Sequence, residues 1–191
     1  MQLSDPGGLR RFHVEAELAR GGMGAVFAVQ DQATGRRVAL KRLAPSAPPR
    51  AAALFEHEYY VLSSLKHPRI IEVYEYGIDA EGPYYTMELL EGSDLRELSP
   101  MEAVQACRYL RDVASSLALL HARRLLHRDV SPRNVRTAPG GKCKLIDFGA
   151  LAAFGASEDI VGTPPAIAPE ALAGQSLDQR TELYALGALG Y

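Results

Sequence analysis

The apolar residues of this chain change their spacing part-way along it, and that change limits the folds open to it more than any other feature. From residue 12 to residue 91 they fall in short alternating or β-branched runs: RFHVEAEL, AVFAVQD, RRVALKRL, IIEVYEYG and YYTMEL. Period two is the spacing of strands with one buried face. The runs are broken by RGGMG, by QATG (Gln32 to Gly35), which reads as a hairpin turn, and by DAEG between the last two. Between the third and fourth runs, a loop holding Pro45, Pro48 and Pro49 leads into a predicted helix over 51–65. From 92 to 191 the pattern is mostly helical. Strands followed by helices predict an α+β molecule of two lobes joined near Glu88–Gly92. The expected division is 1–11 as an extension, 12–91 as the β-rich first lobe and 92–191 as the helical second lobe.

Composition removes several function classes. Of 191 residues, 47% are hydrophobic and 23% charged, too apolar for a disordered tail. A net charge of −2 supplies no basic field for nucleic acid or an anionic membrane. No apolar stretch approaches the ~18 residues of a membrane span, and the opening MQLSDPGGLRRFH lacks the apolar core of a signal peptide. Cys107 and Cys143 stand 36 positions apart with no CxxC pair, which excludes a disulfide scaffold or structural zinc and points to a reducing, cytoplasmic setting.

Helix signals come next. Ser99-Pro100-Met101-Glu102 reads as a helix start, with serine as cap, proline first and Glu102 closing a capping box. Val104, Cys107, Leu110, Ala114, Leu117 and His121 follow at helical spacing, which predicts a buried face and makes Cys107 a core residue. In the 51–65 helix, Leu54, Glu58, Val61, Leu62 and Leu65 share a face, so Glu58 is a carboxylate in an apolar stripe. A buried carboxylate is expensive without a cation. Lys41, ending the strand VALK 17 positions upstream, is the natural partner, although most such lysines simply reach to water. The glycines of Ala19-Arg20-Gly21-Gly22-Met23-Gly24-Ala25-Val26 would let backbone N–H groups approach phosphate, and a ligand-free hairpin fits them equally well.

The second half resolves these alternatives. His127-Arg128-Asp129-Val130-Ser131-Pro132-Arg133-Asn134 is followed by Asp147-Phe148-Gly149, 13 positions after Asn134, and then by Ala168-Pro169-Glu170. Together with the glycine-rich loop and VALK, the chain resembles the protein-kinase family, with its signature motifs in the family's order. The GGMG loop, HRDVxPxN and GTP before APE resemble the bacterial serine/threonine kinases. The resemblance implies a two-lobed kinase fold that transfers phosphate from Mg²⁺-bound ATP to protein Ser or Thr. It implies that the loop at Ala19, Gly21, Gly22 and Gly24 covers the phosphates, and that Lys41, held by Glu58, orients them. Val26 and Ala39 would sandwich the adenine, main-chain groups of Glu88 and Leu90 would bond its edge, Met87 would be the gatekeeper and Asp94 would reach the ribose. Asn134 and Asp147 would hold Mg²⁺, and Asp129 would accept the substrate proton. His127, Phe148 and Leu62 would form the stacked column of the active arrangement.

Several positions depart from the family's pattern. Ala19 replaces the first loop glycine, a cost of ~1–2 kcal/mol if φ there is positive. Ser131 replaces a phosphate-touching lysine, for which Arg133 is a partial substitute, and Ala166 replaces an aromatic residue of the substrate-docking loop. Glu182 replaces the aspartate that anchors the catalytic loop, moving the acceptor by one methylene. The segment from Asp147 to Glu170 has no Lys or Arg; its only hydroxyls are Thr163, which matches the family's GT threonine, and Ser157, the one ordinary candidate phosphosite. Glu158 and Asp159 are the alternative partners for Arg128. The sequence stops at Tyr191, inside a helix expected from about Arg180, without the later helices or the arginine partner of Glu170 that the family has. This predicts a fragment or a truncated kinase, and a poor catalyst as it stands. A non-catalytic nucleotide-binding module and a small-molecule phosphotransferase remain the alternatives.

Overall fold

A computed structural model describes residues 11–21, 24–156 and 160–191. The chain divides into two units. One takes the described residues up to Ser64 together with Glu72–Leu89, and the other takes Leu65–Ile71 with Leu90–Tyr191.

The first unit is a five-stranded antiparallel sheet, order β1-β2-β3-β5-β4, carrying one helix. Its strands are β1 (Phe12–Gly21), β2 (Gly24–Asp31), β3 (Arg36–Leu43), β4 (Val73–Asp79) and β5 (Gly82–Met87), and its helix is α1 (Pro49–Ser64). The turn at 32–35 joins β2 to β3 as its sequence requires. Asp31 ties it down by accepting from Ala33 N–H and the Thr34 hydroxyl, and Gly35 takes φ +68° at its exit. Cross-strand partners share a face, so register decides what each face carries. Val29, Val38 and Leu40 form a buried cluster on one face, with Phe12, Phe27, Tyr74 and Tyr84 packed against it.

The opposite face meets α1. There Phe55 lies 5.0 Å, ring to ring, from Tyr85 of β5. The buried row of α1 is Ala51, Phe55, Glu58 and Leu62, continuing to Leu65 just beyond the helix. Leu54, expected on that row, is 59% exposed. The bulky Phe55 ring sets the rotation of the helix, and Leu54 is one residue (about 100°) away from it.

The second unit contains α2 (Leu95–Leu98), α3 (Ala103–Ala122), β6 (Leu125–Leu126), a 3₁₀ turn at Pro132–Asn134, β7 (Val135–Ala138), β8 (Lys142–Leu145), β9 (Ala152–Ala153), α4 (Pro169–Leu172) and α5 (Gln179–Leu189). Antiparallel pairs β6–β9 and β7–β8 are its sheets. The segment 65–71, expected in the first lobe, packs here instead. Ile71 N–H donates to Leu145 O at 3.0 Å, and Leu145 N–H donates to Arg69 O at 2.8 Å.

Two helix expectations are corrected. Ser99 does not cap α3; it is extended and terminates α2, and α3 starts at Ala103 with Glu102 at the cap position and no side-chain cap bond. The helical backbone begins three residues after Pro100, so the serine and the proline both lie in the connection between α2 and α3. The buried face of α3 is Tyr109, Asp112, Val113, Ser116, Leu117 and Leu120, whereas Val104 is 67% exposed and Cys107 is exposed. Two of those buried residues are polar. Asp112 pairs with Arg69 at 3.0 Å and accepts from Cys143 N–H, while the Ser116 hydroxyl donates to Arg69 O. Apolar spacing alone cannot locate a buried face that includes satisfied polar groups.

Candidate active site

In the first unit the β2–β3 register sets Val26 opposite Lys41, and the β3–β5 register sets Lys41 opposite Tyr85 and Ala39 opposite Met87. Val26, Ala39, Lys41, Tyr85 and Met87 therefore lie on one sheet face, the face that carries α1. Lys41 Nζ is 2.8 Å from Glu58 Oε1 and 3.2 Å from Oε2, and the Tyr85 hydroxyl donates to Oε1 at 3.0 Å. Glu58, 6% exposed, thus has the cation that its burial demands.

The glycine-rich hairpin pairs Gly21 with Gly24 and Ala19 with Val26. Ala19 is not among the residues with positive φ, so its methyl meets no left-handed penalty. A Cβ on Gly24 would collide with the Arg42 carbonyl of β3, a backbone approach that only glycine permits. Gly22 lies outside the described residues. Glu88 N–H donates to Glu72 O at 2.9 Å, and its carboxylate accepts from Glu72 N–H at 2.8 Å.

In the second unit Asp129 and Asn134 are locked together. Asn134 Nδ2 donates to Asp129 Oδ2 at 2.7 Å and to Asp129 O at 2.9 Å, and the Thr163 hydroxyl donates to Asp129 Oδ1 at 2.7 Å. Gly162, at φ +129°, brings Thr163 in, and a Cβ there would sit 2.9 Å from Arg128 O. His127 is fully buried, its ring bonded to Ile146 O at 3.1 Å and edge-on to Phe148 at 4.6 Å. Leu62, in the other unit, is also buried. Asp94 is engaged within the chain: its carboxylate caps α2 through Glu97 N–H at 3.0 Å and meets Arg96 at 3.2 Å. The pair Asp94 and Glu97, three apart, carried that cap signal in the sequence.

Glu182 shows how the departure from aspartate is accommodated. Its Oε1 accepts from the N–H groups of His127 and Arg128, and its Oε2 is 2.7 Å from His121 Nε2. The extra methylene lets one carboxylate hold the catalytic loop and α3 together. His121, 61 positions away, is a positioning residue that spacing could not find. Glu170 is partnered too, accepting from the Thr181 hydroxyl at 2.9 Å. Ser131 is 1% exposed and its hydroxyl has no partner among the described residues, whereas Arg133 is exposed. Ser157, Glu158 and Asp159 lie outside the described residues. Burial pushes the Cys143 thiol up to about 12, with Asp112 adding to the shift, so it is an inert core group.

The donors suit a hard divalent cation. Asn134 uses its amide nitrogen toward Asp129, which leaves Oδ1 as an oxygen ligand, and Asp147 is held at φ +58°. No cluster of three or more His, Cys, Asp or Glu able to hold a metal occurs among the described residues.

Comparison with known proteins gives one family. The family model described as "Protein kinase domain" matches residues 12–191. A serine/threonine-protein kinase, pkn2, of Myxococcus xanthus is 33% identical over 197 residues, covering 95% of this chain and 24% of that protein. The DNA damage-responsive serine/threonine-protein kinase RqkA of Deinococcus radiodurans is 34% identical, covering 95% of this chain and 29% of its own length. The serine/threonine-protein kinase PknA of Mycobacterium tuberculosis is 34% identical, covering 95% and 46%. The chain thus spans less than half the length of these relatives. Among the described residues, no helix is long and apolar enough to cross a membrane.

Proposed function

The chain belongs to the protein kinase family, and from that premise we propose that it is a serine/threonine kinase catalytic domain moving the γ-phosphoryl group of Mg²⁺-bound ATP to a protein hydroxyl. The observation that carries the reading is Asp129, bound on one oxygen by Asn134 and on the other by Thr163. These two bonds aim a carboxylate without neutralising it. A Ser or Thr hydroxyl would donate to Asp129, its oxygen would form the new bond to phosphorus, and its proton would pass to the carboxylate as the bond to ADP breaks. Asn134 Oδ1 and Asp147 would hold magnesium, which supplies neutralisation of phosphate charge. Lys41, kept in place by Glu58 and Tyr85, would orient the α- and β-phosphates. Val26 and Ala39 would enclose the adenine, with Met87, the Glu88 carbonyl and Leu90 along its edge and Asp94 near the ribose. The two free thiols fit a cytoplasmic domain.

Thermal melts of the folded chain with and without millimolar Mg²⁺·ATP test the nucleotide half of this reading, because a ligand that binds only the folded state raises the midpoint. Lys41→Met should remove most of the shift and Asp147→Asn its metal dependence. Asp129→Asn should abolish transfer to a generic Ser/Thr substrate while keeping the shift. No shift in a folded sample, or phosphate on tyrosine alone, would contradict the assignment.

A further inference from the structure

A cavity of about 220 Å³ opens in the second unit against the catalytic loop. Its walls include Ser131 and Arg133 from that loop, Arg96 from α2, and Pro164, Pro165 and Ala166 directly after Thr163. Thr163 bonds Asp129 at 2.7 Å, so the cavity adjoins the proposed base. We propose that this cavity receives an acidic side chain, Asp or Glu, flanking the phosphoacceptor of a protein substrate, which makes the domain an acid-directed kinase. The proposal rests on the serine/threonine kinase reading above and assigns the substrate class to it.

Three independent observations favour an anionic occupant. The first is charge. Among the described residues, two arginines line the cavity and no carboxylate does. Arg133 is exposed and makes no hydrogen bond or ion pair with a described residue. Arg96 shares a 3.2 Å contact with Asp94 yet keeps 54% of its side chain exposed. Guanidinium forks match carboxylates in two-point geometry, and a lysine or arginine brought here would meet like charge.

The second observation is an unmet hydrogen bond. Ser131 lines the cavity, is 1% exposed, and its Oγ has no partner among the described residues. Buried hydroxyls are almost always satisfied, so this one, in a residue that lines the cavity, is still short of a hydrogen-bond partner. Its position in the chain fits, since it stands two residues from Asp129. The third is the character of the remaining wall. Pro164 and Pro165 bring no N–H donor, and Ala166 brings only a methyl. With the Thr163 hydroxyl given to Asp129, the arginines and the serine are the remaining polar side chains of the lining among the described residues, and each can donate to a carboxylate.

The test uses the full chain and a peptide set with one Ser acceptor and Glu, Ala or Lys placed in turn at each of the flanking positions. The readout is the ratio of kcat/KM for Glu over Lys at the most sensitive position. The ratio should be about tenfold or more, because opposite and like charges differ by that much at a close contact. Arg133→Glu should invert it, Arg133→Gln should flatten it, and Arg96→Glu should reduce it, in samples whose melting points show that they are folded. An active enzyme that is indifferent to flanking charge, prefers lysine, or keeps its ratio in Arg133→Glu overturns the acid-directed proposal and leaves the kinase reading standing. A folded chain that binds Mg²⁺·ATP but transfers phosphate to no peptide and not to itself removes the kinase reading, and this proposal with it.

Discussion

Asp31 is the residue whose local chemistry is most exposed to measurement. Besides Ala33 and Thr34 it takes two 2.9 Å bonds from Arg11, which also reaches Glu75 at 2.7 Å. The guanidinium beside Asp31 holds its carboxyl well below the usual carboxylate range, against the opposing effect of burial. A carboxylate with a depressed folded-state pKa contributes stability that is present above its unfolded value of ~4 and is lost as pH falls below that toward the folded value. Asp31→Asn should therefore cost about 1–3 kcal/mol at pH 7, and the gap to wild type should narrow only below about pH 4. Urea midpoints at pH 7, 4 and 3 check both statements. A pH-independent gap would show that the ion pair with Arg11 carries none of the effect. The same lesson in local chemistry applies at Ala19, where the anticipated penalty is absent because the backbone there does not enter the left-handed region.

At the scale of elements, one buried ion pair joins β3 to α1. Glu58 sits in an apolar row between Phe55 and Leu62, and Lys41 is its cation, their side chains 6% and 18% exposed. Removing one partner of a buried pair leaves an uncompensated charge, so Lys41→Met should destabilise the fold by about 3 kcal/mol. Replacing both, as Lys41→Met with Glu58→Leu, should recover most of that loss, because two apolar groups of similar size need no partner. Phosphotransfer should stay absent in the double variant. Chemical denaturation of the two variants, alongside an activity assay, separates the structural from the chemical role. Equal destabilisation in single and double variants would mean that the pair does not couple strand to helix. In the sequence the apolar stripe offered this pairing as one alternative, and the resemblance to the kinase motifs selected it. The rotation of the helix about its axis was not legible there, since Leu54 and Phe55 are both large and apolar and only packing against Tyr85 chooses between them.

Across the second unit, Glu182 of α5 holds both the backbone at His127 and Arg128 and the imidazole of His121 on α3. The side chain is 2% exposed, so every bond it makes is made away from water. Glu182→Asp shortens the reach and cannot serve both partners, and it should lower the thermal midpoint and lower kcat rather than improve either. His121→Ala should cost about 1–3 kcal/mol and lower kcat with the KM for ATP little changed, because it acts through Glu182 and touches no nucleotide. The two effects should be far from additive, since both variants remove the same contact. Unfolding curves and steady-state kinetics of the two single variants and the double decide this. Additive losses would show that His121 acts separately from Glu182.

The order of strands and helices, the glycine-rich hairpin, the Lys41–Glu58 pairing and the motifs from His127 to Glu170 were determined by the sequence itself. Each depends on residues close in the chain or on a charge that burial makes unaffordable alone. Tertiary structure decided the rest. The buried face of α3 runs through Asp112 and Ser116, whose polarity is tolerated only because Arg69 and Cys143 meet them from other segments. Segment 65–71 joins the second unit through backbone bonds of its Arg69 and Ile71 with Leu145, which side-chain pattern does not encode. His121 meets Glu182 across 61 positions, Asp94 turns to cap α2, and Ser131, its hydroxyl unpartnered among the described residues, lines one cavity with Arg96 and Arg133. A periodic pattern records which residues seek burial, whereas the partner that makes burial of a polar group affordable is chosen only when distant segments come together.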